Sequence, residues 1–407
     1  MRRSSETMPL AFYLVAAANF LFFLSTAFLF LLPLWILEHG GGEEAAGRVA
    51  GVSGFAGLLV LPLIAYLLDR LGRRRFMIGG IAVSALSMAG YLWIDGIGPS
   101  LYALRIVGGI AGTCAFTGAQ TLAVLFAPPE RRARAIGWFG ISTILTHAIS
   151  PPLGEEIIRR WGFDAMFAAG AAIGAFGFAL ACFVPRPPPL RPSPAVHDED
   201  LALARRAVAI AGIATACYGV GFGATQTFVP LLIERLAIGR VGAFFAVWSI
   251  CAVTVRLVLG GASDRLGRRA VIVPAMIAMS VALLVLSAAR TMPAVLVAGV
   301  IFGAAQGLLY PTMNALVADW STARNIGRTQ SLFSGSYSLG IASCSFFFGT
   351  IAERHGFAVM FLVAFAVTLV GLGTFLAGPR DLPSAIGVEL SGGEELVDVN
   401  AQHGKLE

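Results

Sequence analysis

Along the 407 residues, apolar stretches of twenty or more alternate with short polar islands. Such runs are too long for the strands and half-buried helices of a soluble core. Crossing about 30 Å of hydrocarbon takes roughly 20 helical residues, because each backbone polar group must be satisfied within its own segment. Twelve segments reach that length, at 10–37, 47–68, 76–95, 99–126, 133–158, 163–184, 206–232, 240–260, 270–289, 293–318, 327–352 and 357–377. The expected fold class is an all-α integral membrane protein with twelve transmembrane helices. The N-terminal run is longer than a signal-peptide core and lacks a small-residue cleavage site, so it is expected to stay as the first span.

Two stretches break the pattern. Pro185 to Pro194 is rich in proline and is followed by His-Asp-Glu-Asp, a composition that suits a linker rather than a helix. The last residues, from 379, are polar and acidic with no apolar period, as in a disordered tail. The chain therefore divides into a first bundle over 1–184, a linker over 185–205, a second bundle over 206–378 and a tail over 379–407. The bundles are related. Asp69-Arg-Leu-Gly-Arg-Arg74 recurs as Asp264-Arg-Leu-Gly-Arg-Arg269, and Gly162-Phe-Asp-Ala-Met-Phe167 is echoed by Gly356-Phe-Ala-Val-Met-Phe361 in nearly the same register. Gln120 and Asn314 also fall into that register, which marks a duplicated six-helix unit.

Composition agrees with a lipid environment: 57% of residues are hydrophobic and 13% charged, with a mean hydropathy of +0.80. A soluble protein sits nearer 45–50% apolar and about 25% charged. The net charge of +6 does not point to nucleic acid, because the basic residues are strung between spans rather than gathered on one face. Their placement instead sets orientation. With the N-terminus inside, twenty of the 29 Lys and Arg residues fall in cytoplasmic segments and seven outside, an asymmetry that obeys the positive-inside rule. The two left over, Arg105 and Arg256, lie within spans. The cysteines (Cys114, Cys182, Cys217, Cys251 and Cys344) all lie in apolar runs without metal-ligand or CxxC spacing and are expected to be small core residues.

The duplicated motif resembles the signature of the major facilitator superfamily, Gly-x-x-x-Asp-Arg-x-Gly-Arg-Arg/Lys, in the loop after the second helix. It is matched at Asp69, Arg70, Gly72, Arg73 and Arg74, and again at Gly260, Asp264, Arg265, Gly267, Arg268 and Arg269; the first copy has Ala65 in place of the leading glycine. The resemblance extends over about residues 10–377. It implies two pseudo-symmetric six-helix bundles and a cytoplasmic latch in which a carboxylate faces several arginines and the glycine permits the turn. Arg105 in Leu101-x-x-x-Arg105-x-x-Gly-Gly109-x-x-Gly112 resembles the family's fourth-helix motif, which is linked to proton transfer in efflux-type members. Gly140 followed by Ser150-Pro151-Pro152-Leu153-Gly154 is similar to the antiporter motif of the fifth helix, with Ser150 and Glu155 replacing glycines; Pro151 and Gly154 are its bend-forming members.

In this family the solute site lies near the midplane between the halves. Polar side chains inside the spans are Asn19, Arg105, Gln120, His147, Gln226, Gln306 and Asn314, with Glu155 nearest among the acids. They are the candidates for a substrate cavity or for proton coupling, His147 because imidazole titrates near neutrality. Tyr13, Tyr218 and Tyr310 are candidate aromatic walls. The expected function is export of a small organic solute (drug-like compound, metabolite or sugar) by alternating access, in exchange for protons. Uptake by a facilitator or proton symporter, and a non-transporting membrane solute sensor, are the competing readings. The chain carries no HExxH, no GxSxG and no clustered His/Cys/Asp ligands, so no enzyme, metal or cofactor is expected. One polypeptide supplies both halves, which makes a monomer the expected state, and the arginine-rich, nearly lysine-free composition suits a bacterial inner membrane.

Overall fold

The computed structural model describes residues 8–128, 131–187, 201–320 and 326–378. Much of the expected linker and all of the expected tail lie outside the described residues, although helix already begins at Leu201. The described chain is all-helical. Ten of its helices are long and apolar enough to cross a membrane, and two of these, Ala135–Cys182 and Thr329–Ala377, are 48 and 49 residues long.

The first span shows how sequence shapes a helix locally. Helix α1 (Leu10–Thr26) tightens into a 3-10 stretch at Ala27–Leu31 before resuming as α2 (Leu32–Glu38). Pro33 lies in the first turn of α2 and has no N–H to bond the preceding turn, so the ladder changes pitch just ahead of it. Next come α3 (Glu43–Leu71), α4 (Arg73–Gly90), α5 (Pro99–Phe126) and the long α6 (Arg132–Cys182). The second half repeats the order as α7 (Leu201–Leu236), α8 (Val241–Leu259), the short α9 (Ala262–Leu266), α10 (Arg268–Ala288), α11 (Met292–Asp319) and the long α12 (Ile326–Ala377).

The sequence reading places a loop between its fifth and sixth spans and another between its eleventh and twelfth. The structure instead has one residue doing that work in each half: Gly162 (φ 83°, ψ 177°) and Gly356 (φ 82°, ψ 165°) break α6 and α12 into two membrane-length pieces each. This backbone region is essentially restricted to glycine, so a single residue turns the chain without an intervening loop. The signature glycines Gly72 (φ 88°) and Gly267 (φ 91°) likewise head α4 and α10. The duplication seen in the sequence thus extends to matched left-handed backbone at matched positions.

Close contact between the halves depends on small residues. Gly47, Gly51 and Gly54 form a stripe along α3 that meets α12 at Ser345, Phe346, Gly349 and Ala342; a side chain at Gly51 would come within 2.7 Å of the Phe346 backbone. On the other side of the molecule Gly242 of α8 lies against Pro152 of α6. Gly47 and Gly242 are separated by the same interval as the two signature motifs. The cysteines depart partly from expectation. All five are free and Cys344 is buried, but Cys182 is exposed at the end of α6, where the helix runs out of neighbours.

Candidate functional site

Three levels can be followed along the bundle. At the end where α2 finishes and α3 begins, carboxylates of one half meet cations or helix N-termini of the other. Glu43 is buried at the start of α3 and accepts from Arg235 of α7, Nε to Oε1 at 2.7 Å. Glu155 of α6 accepts from the backbone N–H groups of Val241 and Gly242, at 3.2 and 2.8 Å, and so caps the N-terminus of α8. Glu353 of α12 performs the mirror-image task, accepting from the Glu44 N–H at the N-terminus of α3 at 2.8 Å. Glu156 lies 3.7 Å from Arg240 and is also held by Arg159 and Arg160 of its own helix. Unbonded N–H groups and the helix dipole make such termini natural carboxylate partners. These contacts join the halves at the end opposite the two arginine-rich turns.

The arginine-rich turns behave differently. Arg268 bonds Asp264 and, at 2.9 Å, Asp319 of α11. Arg269 reaches the Leu376 carbonyl at 2.6 Å, and Arg74 reaches the carbonyls of Val184 and Cys182 at 2.5 and 2.7 Å. Arg70 lies over the Tyr66 ring at 4.5 Å, and Arg265 is exposed. Each of these contacts stays within one half. In both halves an arginine heading the third span ties it to the unbonded carbonyls at the end of the sixth. The Asp69 side chain lies outside the described residues.

Between the two ends lies an aromatic layer. Phe30 stacks on Phe245 at 5.2 Å, and His147 sits between Phe30 and Trp248 at 4.9 and 5.1 Å. The layer continues from Trp248 through Phe302 and Phe222 to Tyr337, which stacks on Tyr218 at 5.0 Å and touches Tyr310 at 5.1 Å. Tyr218 bonds Gln306, whose amide donates to Tyr337 at 3.3 Å. His147 is buried, and its Nδ1 and the Trp248 Nε1 have no partner among the described residues.

The residues expected to form one cavity therefore divide among several places. Gln306 belongs to the tyrosine cluster, and Asn314 bonds Gln330 of α12 at 3.2 Å. Asn19 is buried between α1 and α6, donating to Thr143 at 3.1 Å. Arg105 turns towards α3, bonding the Val49 carbonyl at 3.2 Å and the Tyr91 hydroxyl. Gln120 and Gln226 are half-buried, in α5 and α7. Glu155 is in the seal rather than the cavity. The bend motif packs on both sides of α6. Ser150 donates to the Leu24 carbonyl at 2.5 Å, just ahead of the tightened stretch of the first span, while Gly154 admits the Phe28 and Leu31 side chains and Pro151 is buried. Of the candidate walls, Tyr218 is buried in the cluster and Tyr13 is exposed. The sequence reading left out Glu43, Arg235, Glu353, Trp248 and Tyr337. Of these, the charged residues near span ends carried a signal, since a lipid interface does not require them.

A bundle of two duplicated halves, joined at one end and enclosing an aromatic and polar level, is the architecture of a membrane carrier. The Major Facilitator Superfamily profile matches residues 14–260 and 211–393, and the chain belongs to that family. It is a multi-pass membrane protein. An MFS-type transporter of Pseudomonas aeruginosa is 27% identical over 359 residues, covering 85% of this chain and 87% of that relative. The Escherichia coli MFS-type transporter YhhS is 28% identical over 340 residues, covering 80% and 82%. Among solved structures, a D-xylose–proton symporter superposes with a TM-score of 0.76 at 16% identity, over 91% of this chain and 97% of that one. The human organic anion transporter MFSD10 does so with 0.71 at 18%, over 90% and 100%. At those identities the likeness speaks for the fold.

Proposed function

We propose that this chain exports a small organic solute across a bacterial inner membrane by alternating access, in exchange for protons. Counting α6 and α12 as two spans each supports twelve crossings with both termini on one side, which the positive-inside reading makes the cytoplasm, and a monomer suffices because one chain holds both halves. The observation that carries the reading is the one-sided seal. Glu43, Glu155 and Glu353 bridge the halves at one end, while at the other end the hydrogen bonds of Arg74 and Arg268, and that of Arg269 to Leu376, stay within their own half. With the arginine-rich turns in the cytoplasm, the molecule is closed to the outside. A carrier that rocks its halves around a central site needs such contacts, weak enough to break and re-form.

Export and proton exchange are supported by the resemblance of the Arg105 and Ser150–Gly154 segments to efflux-type motifs. Arg105 also touches α3 close to Glu43, so a change at Arg105 has a short path to the seal.

The test uses everted membrane vesicles with an acid interior reported by a quenched dye, challenged with a panel of small compounds. Dequenching that needs this protein and fades in Asp69→Asn supports proton-linked export. Labelled solutes that equilibrate through the protein without dequenching would replace exchange with facilitation.

A further inference from the structure

Arg256 lies in the last turn of α8, some fifteen residues and thus roughly 22 Å along the helix from its sealed end at 1.5 Å per residue. It points across the interface between the halves. A Cβ on Gly140 of α6, in the opposite half, would stand 2.7 Å from its Nη1. Tyr218 and Tyr310 lie close enough for their hydroxyls to interact with its charge. No carboxylate among the described residues forms an ion pair with it, in contrast to Arg235, Arg240 and Arg268. Its side chain is half-buried rather than enclosed, and Tyr310, with Ser334 and Tyr337 beside it on α12, is half-buried too.

A charged guanidinium inside a span costs at least about 2.5–3.5 kcal/mol on insertion scales and is normally offset by an acid or by an aqueous cavity. The tyrosine hydroxyls do not neutralise it, since Tyr218 is engaged with Gln306 and Tyr310 with Ser334. They supply a polar frame around a charge that has no counter-ion among the described residues. The guanidinium fork matches a carboxylate with two parallel hydrogen bonds. The rings beside the tyrosines, Phe222, Phe302, Phe333 and Trp248, suit an apolar or aromatic body rather than a second charge.

We propose that Arg256 is the anion anchor of the central site, and that the solute is a monocarboxylate with an apolar or aromatic body, its carboxylate held by the Arg256 fork where α8 faces α6. This rests on the reading of the chain as a transporter and names the substrate class. The fork passes over the Gly140 backbone. Both halves therefore contribute to the anion's surroundings, and rocking them apart changes its coordination.

The test is binding by the full-length protein in lipid nanodiscs at pH 7.5. Benzoate, phenylacetate and indole-3-acetate are each titrated beside their uncharged primary amides, with thermal stabilisation and calorimetry as readouts. The acids are expected to bind at least 10-fold tighter than the amides. Arg256→Gln should weaken the acids by about 30-fold, the lower end of the cost of removing one partner of a hydrogen-bonded charge pair, and leave the amides unchanged. Arg256→Lys, which keeps the charge and loses the fork, should fall between and guards against a folding defect in the Gln variant. Equal binding of acid and amide, unaltered acid preference in Arg256→Gln, or no acid binding to the wild type overturns the assignment. Flux of an uncharged compound through Arg256→Gln vesicles tells the two readings apart. If it persists while acid and amide bind the wild type equally, transport stands and the anion site falls; if the wild type moves nothing, the transporter reading itself fails.

Discussion

Replacing Arg235 by Gln would leave the Glu43 carboxylate buried at the interface of the halves without its cation. Removing one partner of a buried ion pair typically costs 3–5 kcal/mol. Two features reduce that here. The Arg235 side chain is 51% exposed, so water already screens the pair, and Glu43 lies in the first turn of α3, where the helix dipole retains about 0.5–1 kcal/mol of favourable interaction. About 2 kcal/mol remains, paid only by the sealed state, because separation of the halves lets Glu43 hydrate. The inward-to-outward population ratio should therefore fall about 30-fold. Adding Glu43→Gln should recover most of the shift, since a neutral amide needs no counter-ion. Spin labels at Asp95 and Arg290, exposed between spans of opposite halves at the sealed end, report the change by double electron–electron resonance in a background free of native cysteines. Arg235→Gln should add a longer distance population that the double variant loses. An unchanged distribution in Arg235→Gln would show that this pair does not hold the seal.

Other expectations follow from the same geometry. Gly242→Leu would drive a side chain into Pro152 and Glu155, so the same labels should show a widened outer end even with every charge intact. Gly162→Ala and Gly356→Ala meet no neighbouring atom and are strained only by their positive φ, so each should lower stability by about 1–3 kcal/mol without altering the substrate panel, as read by thermal unfolding in detergent. His147→Phe keeps an aromatic ring between Phe30 and Trp248; proton-linked dequenching that survives it would assign His147 to packing, whereas selective loss of coupling with solute binding retained would assign it to proton transfer.

The spans and the duplication were legible in the sequence because both are one-dimensional: hydropathy sets the length of a span, and a repeated motif needs no fold to be seen. The turns at Gly162 and Gly356 were legible as echoes but not as turns, since a single left-handed glycine leaves no polar loop between apolar runs. The site was much less so. Asn19, Arg105 and Gln306 share the property of being polar within a span, yet each points to a different neighbour, and the direction a side chain faces depends on how the helices are rotated against one another. Arg256 was visible only as a charge inside a span. Its closeness to Gly140 comes from packing between halves more than a hundred residues apart. Glu155 was read as a candidate for coupling because it is the acid nearest the membrane interior, whereas its two backbone donors belong to a helix that starts eighty-odd residues later.

Arg74 and Arg269 fasten the head of each third span to the foot of each sixth, entirely inside their own half. Each half is thereby braced at the rim that carries its arginine-rich turn independently of the other, as a beam is stiffened by a cross-tie. A force applied where Glu43 meets Arg235 is then not dissipated by individual helices sliding past their neighbours. On the proposed rocking cycle it is passed along the whole half, and a small parting at one rim reaches the other.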